Sequence, residues 1–207
     1  MAEDISSNFY DTRKIYHGTQ LVNYADSAGG ASTGHSTGVT KFAPSVTQNS
    51  STIYADAQTH LTLIGAKTLK IETTNYQFTD DEMAQMGHVK VNGGFVDSDT
   101  HPAFSVQRIL IEQDETGKQT KVLEAYYGCT STDYKESDDE DGEKINAKKY
   151  TRTITVNGVD MTVNGTTQNV KQFRVERTDG NATVFDTYTT KVLTPADFAS
   201  TSGTPKG

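Results

Sequence analysis

The sequence predicts a mainly β fold: a β-sandwich or barrel-like domain of antiparallel strands flanked by one short α-helix, with a long loop and flexible termini. Three observations predict it. The apolar set is rich in residues that suit a pleated, half-buried surface: 15 Val against 7 Leu, 10 Tyr and 8 Phe, and abundant Thr. Tight-turn signals recur between short alternating runs, as in sandwiches and barrels. Only one segment carries a clear helix signature. Leu, Ile, Val and Phe together make up 39 of 207 residues, close to the disordered range. The β-forming bias places the chain instead as a β domain with long polar loops.

From the N-terminus, residues 1–12 read as an arm, polar but ending in the adjacent aromatics Phe9 and Tyr10. Residues 13–194 read as the β domain. Arg13–Tyr24 is a strand interrupted at Gly18. The stretch 25–38, ADSAGGASTGHSTG, has no large apolar side chain and cannot offset its ordering entropy by burial. It opens a loop expected to be mobile over 25–50, within which order resumes at 39–46 around Phe42 and Pro44. Residues 51–65 and 66–73 are two strand candidates, the second alternating Leu69 and Ile71 with Lys70 and Glu72.

The helix signal lies at 79–86. Thr79 is a good N-cap, Glu82 completes a capping box, Asp80 and Asp81 sit at the positive end of the dipole, and Gly87 stops the helix. Hairpins are then expected. Asn92-Gly93-Gly94 marks a tight turn. Strands 103–113 and 119–127 flank a turn at 114–117, and 151–156 and 159–163 flank Asn157-Gly158, a strong type I′ signal. Strands 170–177 and 182–190 flank Asp179-Gly180. Residues 195–207 read as a frayed tail. Between hairpins, the loop 133–144 carries seven acids against two lysines: Asp133, Glu136, Asp138, Asp139, Glu140, Asp141 and Glu143. Such a loop is solvated and self-repelling.

Composition excludes several classes. A net charge of −8 argues against a groove binder for nucleic acid, and no apolar run of about 18 residues offers a membrane span. The acidic, polar start is unlike a signal peptide. One cysteine, Cys129, excludes an internal disulfide framework and is compatible with a reducing cytoplasm.

No enzyme signature is present: there is no G-x-S-x-G, no P-loop and no G-x-G-x-x-G, so no catalytic or cofactor-binding residue is assigned and no cofactor is expected. The five histidines, 17, 35, 60, 88 and 101, lack metal-ligand spacing, so any metal site would have to be assembled by the fold. The acidic loop aligns poorly with an EF-hand because Lys148 stands where the bidentate Glu is needed.

The order of segments resembles the major tail tube proteins of long, non-contractile-tailed bacteriophages. The resemblance is carried by Tyr54-Ala55-Asp56, the strand 68–72, the acidic helix closed by Gly87, His101-Pro102-Ala103-Phe104, Tyr126-Tyr127-Gly128, and Tyr188-Thr189-Thr190 before Pro195. It implies a structural virion protein of the phage tail, made in the host bacterial cytoplasm. It also implies hexameric rings, stacked into a tube around a tape-measure protein and capped by tail terminator and distal tail proteins. DNA would pass through the lumen without specific binding and no membrane would be engaged. Net negative charge suits that role, because a negative lumen repels phosphates. The aromatics Phe9, Tyr10 and Phe42 are the candidate inter-ring contacts, with segments 1–11 and 25–50. The seven acids of 133–144 suit a lumen or an outer surface. The alternative reading is a β-sandwich binding module, an adhesin or carbohydrate-binding domain. Tyr content favours it; the lack of Trp and of a secretion signal does not.

Overall fold

The computed structural model describes residues 14–55, 58–137 and 148–199, and these fall into two compact units. The arm with Phe9 and Tyr10, and the acids from Asp138 to Glu143, lie outside the described residues. The chain is mainly antiparallel β, as its sequence predicts, with three short α-helices among the described residues instead of the one expected.

Unit 1 comprises 1–36, 104–127 and 158–207. Its sheet runs in the order β2 (Gly34–His35), β1 (Lys14–Ala25), β7 (Phe104–Asp114), β8 (Gln119–Ser131), with β13 (Gln172–Glu176) on the other edge of β8. Asp114 closes the β7–β8 turn: its Oδ1 accepts the Thr116 N–H at 2.9 Å and the Lys118 N–H at 3.0 Å. One face of the sheet carries Ile109, Leu123, Ala125 and Tyr127, packed with Phe185, Val192 and Leu193. The other face holds a buried polar network. Arg108 Nη2 lies 2.6 Å from Glu124 Oε2, and that oxygen also accepts the Tyr126 hydroxyl at 2.9 Å. Burial, and then the Glu124 charge, push the Tyr126 pKa well above its ordinary value. A separate hairpin joins β11 (Val159–Val163) to β12 (Thr166–Val170).

Unit 2 comprises 37–103 and 128–157. Here the last residues of β8 pair with β10 (Lys149–Val156), which pairs with β4 (Gln58–Asn75), which pairs with the edge strand β3 (Val39–Ala55). β9 (Lys135–Ser137) adds to β10, and β5 (His88–Val91) and β6 (Gly94–Asp97) form their own hairpin. The helix α1 (Asp80–Gln85) has the expected capping box, with the Glu82 carboxylate accepting the Thr79 N–H at 2.9 Å. That carboxylate is fully buried and also faces Arg152 of β10, whose Nη2 lies 3.3 Å away. Arg152 Nη1 donates to Gln85 Oε1 at 3.0 Å, and the guanidinium lies 5.3 Å from the Phe78 ring centre. Helix cap and sheet are thus joined by one ion pair.

Several expectations are corrected. Asn157-Gly158 does not turn a hairpin: β10 pairs with β4 and β8, while β11 pairs with β12 across Asn164-Gly165. The reason lies in the backbone. Asn164 and Gly165 both have positive φ (52° and 78°), whereas at 157–158 only Gly158 does, so a type I′ turn forms only at the former. Residues 182–190, expected as a strand, form α2 (Ala182–Phe185) and a 3-10 turn (Asp186–Thr189). Asn181 bends the chain by accepting the Thr178 N–H at 2.8 Å, and Val184, Phe185 and Tyr188 reach the core at helical spacing.

The closing segment is anchored by Gln107, which donates to the carbonyls of Tyr188 (2.6 Å) and Lys191 (2.7 Å) and accepts the Leu193 N–H (2.9 Å). The start of the expected tail forms α3 (Pro195–Ala199), with Phe198 5.4 Å from Phe173; 200–207 lie outside the described residues. The strand candidate 51–65 is divided, its start ending β3 and its remainder lying in β4. The stretch 25–50, read as a loop, contains β2 and much of β3. The Ser32 N–H donates to the Thr190 carbonyl at 2.8 Å and the Thr33 N–H to that of Tyr24 at 2.8 Å, so backbone bonds hold what side chains do not.

Removing one partner of a buried ion pair strands the other's charge. Arg152→Met is expected to cost about 3–5 kcal/mol of unfolding free energy, and Arg152→Met with Glu82→Leu less than either single change, by chemical denaturation. A second expectation concerns α3. Burial works to raise the Asp197 pKa, but hydrogen bonds from Lys191 and from the Thr194 N–H and hydroxyl prevail and lower it. A depressed carboxyl contributes stability above its unfolded pKa and loses it as pH falls through the folded value. The Thr194 amide resonance is therefore expected to shift as pH falls below about 4, and to stay put there in Asp197→Asn.

Candidate assembly surface

β3 and β4 form a hairpin of 17 and 18 residues, far longer than the sheet it leaves. From Leu69 to Asn75, β4 alternates buried and exposed positions against the core of unit 2. Beyond Leu69 that alternation ends. Residues 45–52 of β3 and 62–68 of β4 are exposed on both faces, including Val46, Leu63 and Ile64, the last 69% exposed. The register pairs Val46 with Leu69, Ser50 with Ile64 and Ser51 with Leu63, with a shift between Gln48 and Ser50. Pro44 is tolerated because β3 is the edge strand, where a missing N–H breaks no ladder bond. A two-stranded ribbon with no core is marginal in water by itself. Among the described residues both of its edges are unpaired, that of β3 and that of β4 below Leu69, and such edges are templates for another chain.

Of the residues singled out by sequence, Phe42, Asp133 and Glu136 are described, and each has different partners. Phe42 lies in the proximal part of β3, half-buried and opposite Thr73. Asp133, just beyond β8, is exposed and accepts the Tyr134 N–H at 2.7 Å; its Oδ1 also lies 2.9 Å from His88 Nε2. Glu136 in β9 is ion-paired with Lys148. The feature that sequence reasoning missed is the length of the hairpin's exposed ribbon. Its signal is the unbroken polar run Thr47–Thr52, followed by Leu61, Leu63 and Ile64 around Thr62.

Other geometry is less exposed. Phe78, Tyr134 and Tyr150 pack with ring centres 5.5–6.0 Å apart. With Gln77, Met83 and Phe95 they line a shallow apolar pocket of about 180 Å³. A polar groove beside β13 is lined by Lys118, Lys121, Arg177 and Asp186, the last two joined by hydrogen bonds of 2.8 and 2.9 Å. Among the described residues, His88, Asp97 and Asp133 offer metal-ligating atoms close together.

Residues 6–200 match the family described as phage tail tube protein. The chain belongs to the phage tail tube protein family. No curated protein sequence matches. Two solved structures are similar in part. One is the sheath–tube complex of an extracellular contractile injection system in its extended state, with 8% identity, 80% of this chain and 98% of that chain covered, and a TM-score of 0.46. The other is the tube-terminating cap of the anti-feeding prophage, with 7% identity, 84% and 99% covered, and a TM-score of 0.48. A tail tube protein has a structural role in the phage tail.

Because the distal ribbon buries little within its own chain, its apolar residues can be changed cheaply. Leu63→Ser and Ile64→Asp in this tail tube protein are each expected to shift unfolding free energy by no more than about 0.5 kcal/mol, measured by denaturant titration.

Proposed function

We propose that this tail tube protein self-assembles as hexameric rings stacked into a tube that conducts the genome. The carrying observation is the β3–β4 ribbon, an edge strand and two exposed faces that its own unit leaves uncovered. In the assembly, ribbon residues 45–52 and 62–68 reach an adjacent copy, where Val46, Leu63 and Ile64 are buried. Burial of such side chains contributes about 1.5–3 kcal/mol each. Segments 1–11, with Phe9 and Tyr10, and 25–50, with Phe42, make ring-to-ring contacts. Head-to-tail contacts that do not close on themselves generate an open tube. The role is structural and not catalytic. The tape-measure protein occupies the lumen before DNA, and terminator and distal tail proteins cap the ends. The acidic residues from Asp133 to Glu143 add to a surface that repels phosphate.

Negative-stain electron microscopy of the concentrated full-length protein, with light scattering on the same sample, tests the reading. Hollow tubes or six-membered rings are expected for the wild type. Ile64→Asp should remain folded and give no tubes, because a charge in an apolar contact is left unpaired. Tubes of normal length from Ile64→Asp, or from a chain with its ribbon shortened, would overturn the ribbon's role. Rings of another symmetry would overturn the hexamer.

A further inference from the structure

We propose that His88, Asp97 and Asp133 form a binding site for a divalent first-row transition ion, with Zn²⁺ the best match. Each offers one ligand atom, and the three atoms lie within 4.8 Å of one another. They come from three places in unit 2: His88 opens β5, Asp97 ends β6, and Asp133 follows β8. His88 and Asp97 are direct cross-strand partners, so the hairpin's first and last residues meet at its base.

Two of the three ligands are already held. The His88 ring is largely buried and stands 5.9 Å from the Tyr134 ring, with Nε2 aimed at Asp133 Oδ1 at 2.9 Å. The Tyr134 N–H fixes that carboxylate oxygen at 2.7 Å. Gly87 sets the entry to His88: it has φ +94°, and a Cβ there would fall 2.5 Å from the Ser98 carbonyl oxygen, which lies just past Asp97. The chain entering the hairpin and the chain leaving it therefore press together at the site. Asp97 is exposed, and among the described residues neither it nor Asp133 is paired with a lysine or arginine.

The donor set decides the ion. Bonds of about 2.0–2.2 Å place tetrahedral ligand atoms roughly 3.3 Å apart. The His88–Asp133 pair is near that spacing, and a rotamer change of the exposed Asp97 supplies the remainder. One imidazole with two carboxylates suits Zn²⁺, whereas Ca²⁺ and Mg²⁺ favour oxygen ligands throughout. Three protein ligands leave a position for water. The ion would tie both ends of the β5–β6 hairpin, which among the described residues pairs with no other strand, to the end of β8.

The test uses full-length protein freed of metal by a chelator and kept unassembled. Zn²⁺ titration by calorimetry is expected to show saturable binding, and Co²⁺ in its place a visible absorption band. His88→Gln, Asp97→Asn and Asp133→Asn should each weaken binding by about tenfold or more, while the neighbouring Asp99→Asn leaves it unchanged. Circular dichroism establishes that each variant is folded. Hydrogen exchange of residues 88–97 should slow with Zn²⁺ in the wild type only. The proposal is overturned by absence of saturable binding, or by binding that persists in His88→Gln. It is equally overturned if binding disappears when the acids from Asp138 to Glu143 are neutralised with the three ligands intact.

Discussion

A buried charge must find its counter-charge, and in unit 2 that constraint positions much else. Glu82 serves two masters: it caps α1 by accepting the Thr79 N–H, and it neutralises Arg152 on the central strand β10. Asn75, the end residue of β4, donates to the same carboxylate at 3.2 Å. One side chain therefore sets the distance of the helix from the sheet, the place where β4 stops, and the ring that lies over the guanidinium, Phe78. Since α1 ends directly in Gly87 and β5, the direction of the β5–β6 hairpin follows from the same pair. Replacing such pairs by apolar groups is often neutral in energy. What this one adds is geometry, because a guanidinium with partners on the helix and on Thr73 admits few arrangements.

The exposed ribbon is the opposite case. There β3 and β4 pair with each other, and the side chains of the distal ribbon stay exposed. An unfinished surface is a hazard in a solitary protein and a resource in one that polymerises. On the edge strand β3 itself, Lys41 and Pro44 are features that blunt an edge against indiscriminate pairing. The family to which the chain belongs gives such a compromise a purpose.

Much of this was legible in the residues. The capping box at Thr79 and Glu82 is a local device whose partners lie three residues apart, so sequence contains it whole. The strands β7 and β8 were legible because they flank the turn at 114–117. The pair Asn157-Gly158 misled because a turn dipeptide reports a bend and not the strand that follows it. There the chain leaves unit 2 for unit 1, and the hairpin falls instead at Asn164-Gly165. Residues 182–190 misled because Val184 and Tyr188 satisfy period two as well as a helical face when Phe185 is given no weight. The Arg152–Glu82 pair and the meeting of His88 with Asp133 were invisible for a different reason: their members are 70 and 45 residues apart and meet only in the folded chain.

The alternation of the chain between its units has a consequence for synthesis. Unit 2 possesses all its strands once residue 157 has been made. Unit 1 then still lacks β13, α2 and the residues Phe185, Val192 and Leu193 that fill its core. On a ribosome, where chains emerge N-terminus first, the ribbon is complete while half the subunit is unfinished. Closure of the unit 1 core thus waits for the last-made helical segment, which carries Phe185, Val192 and Leu193.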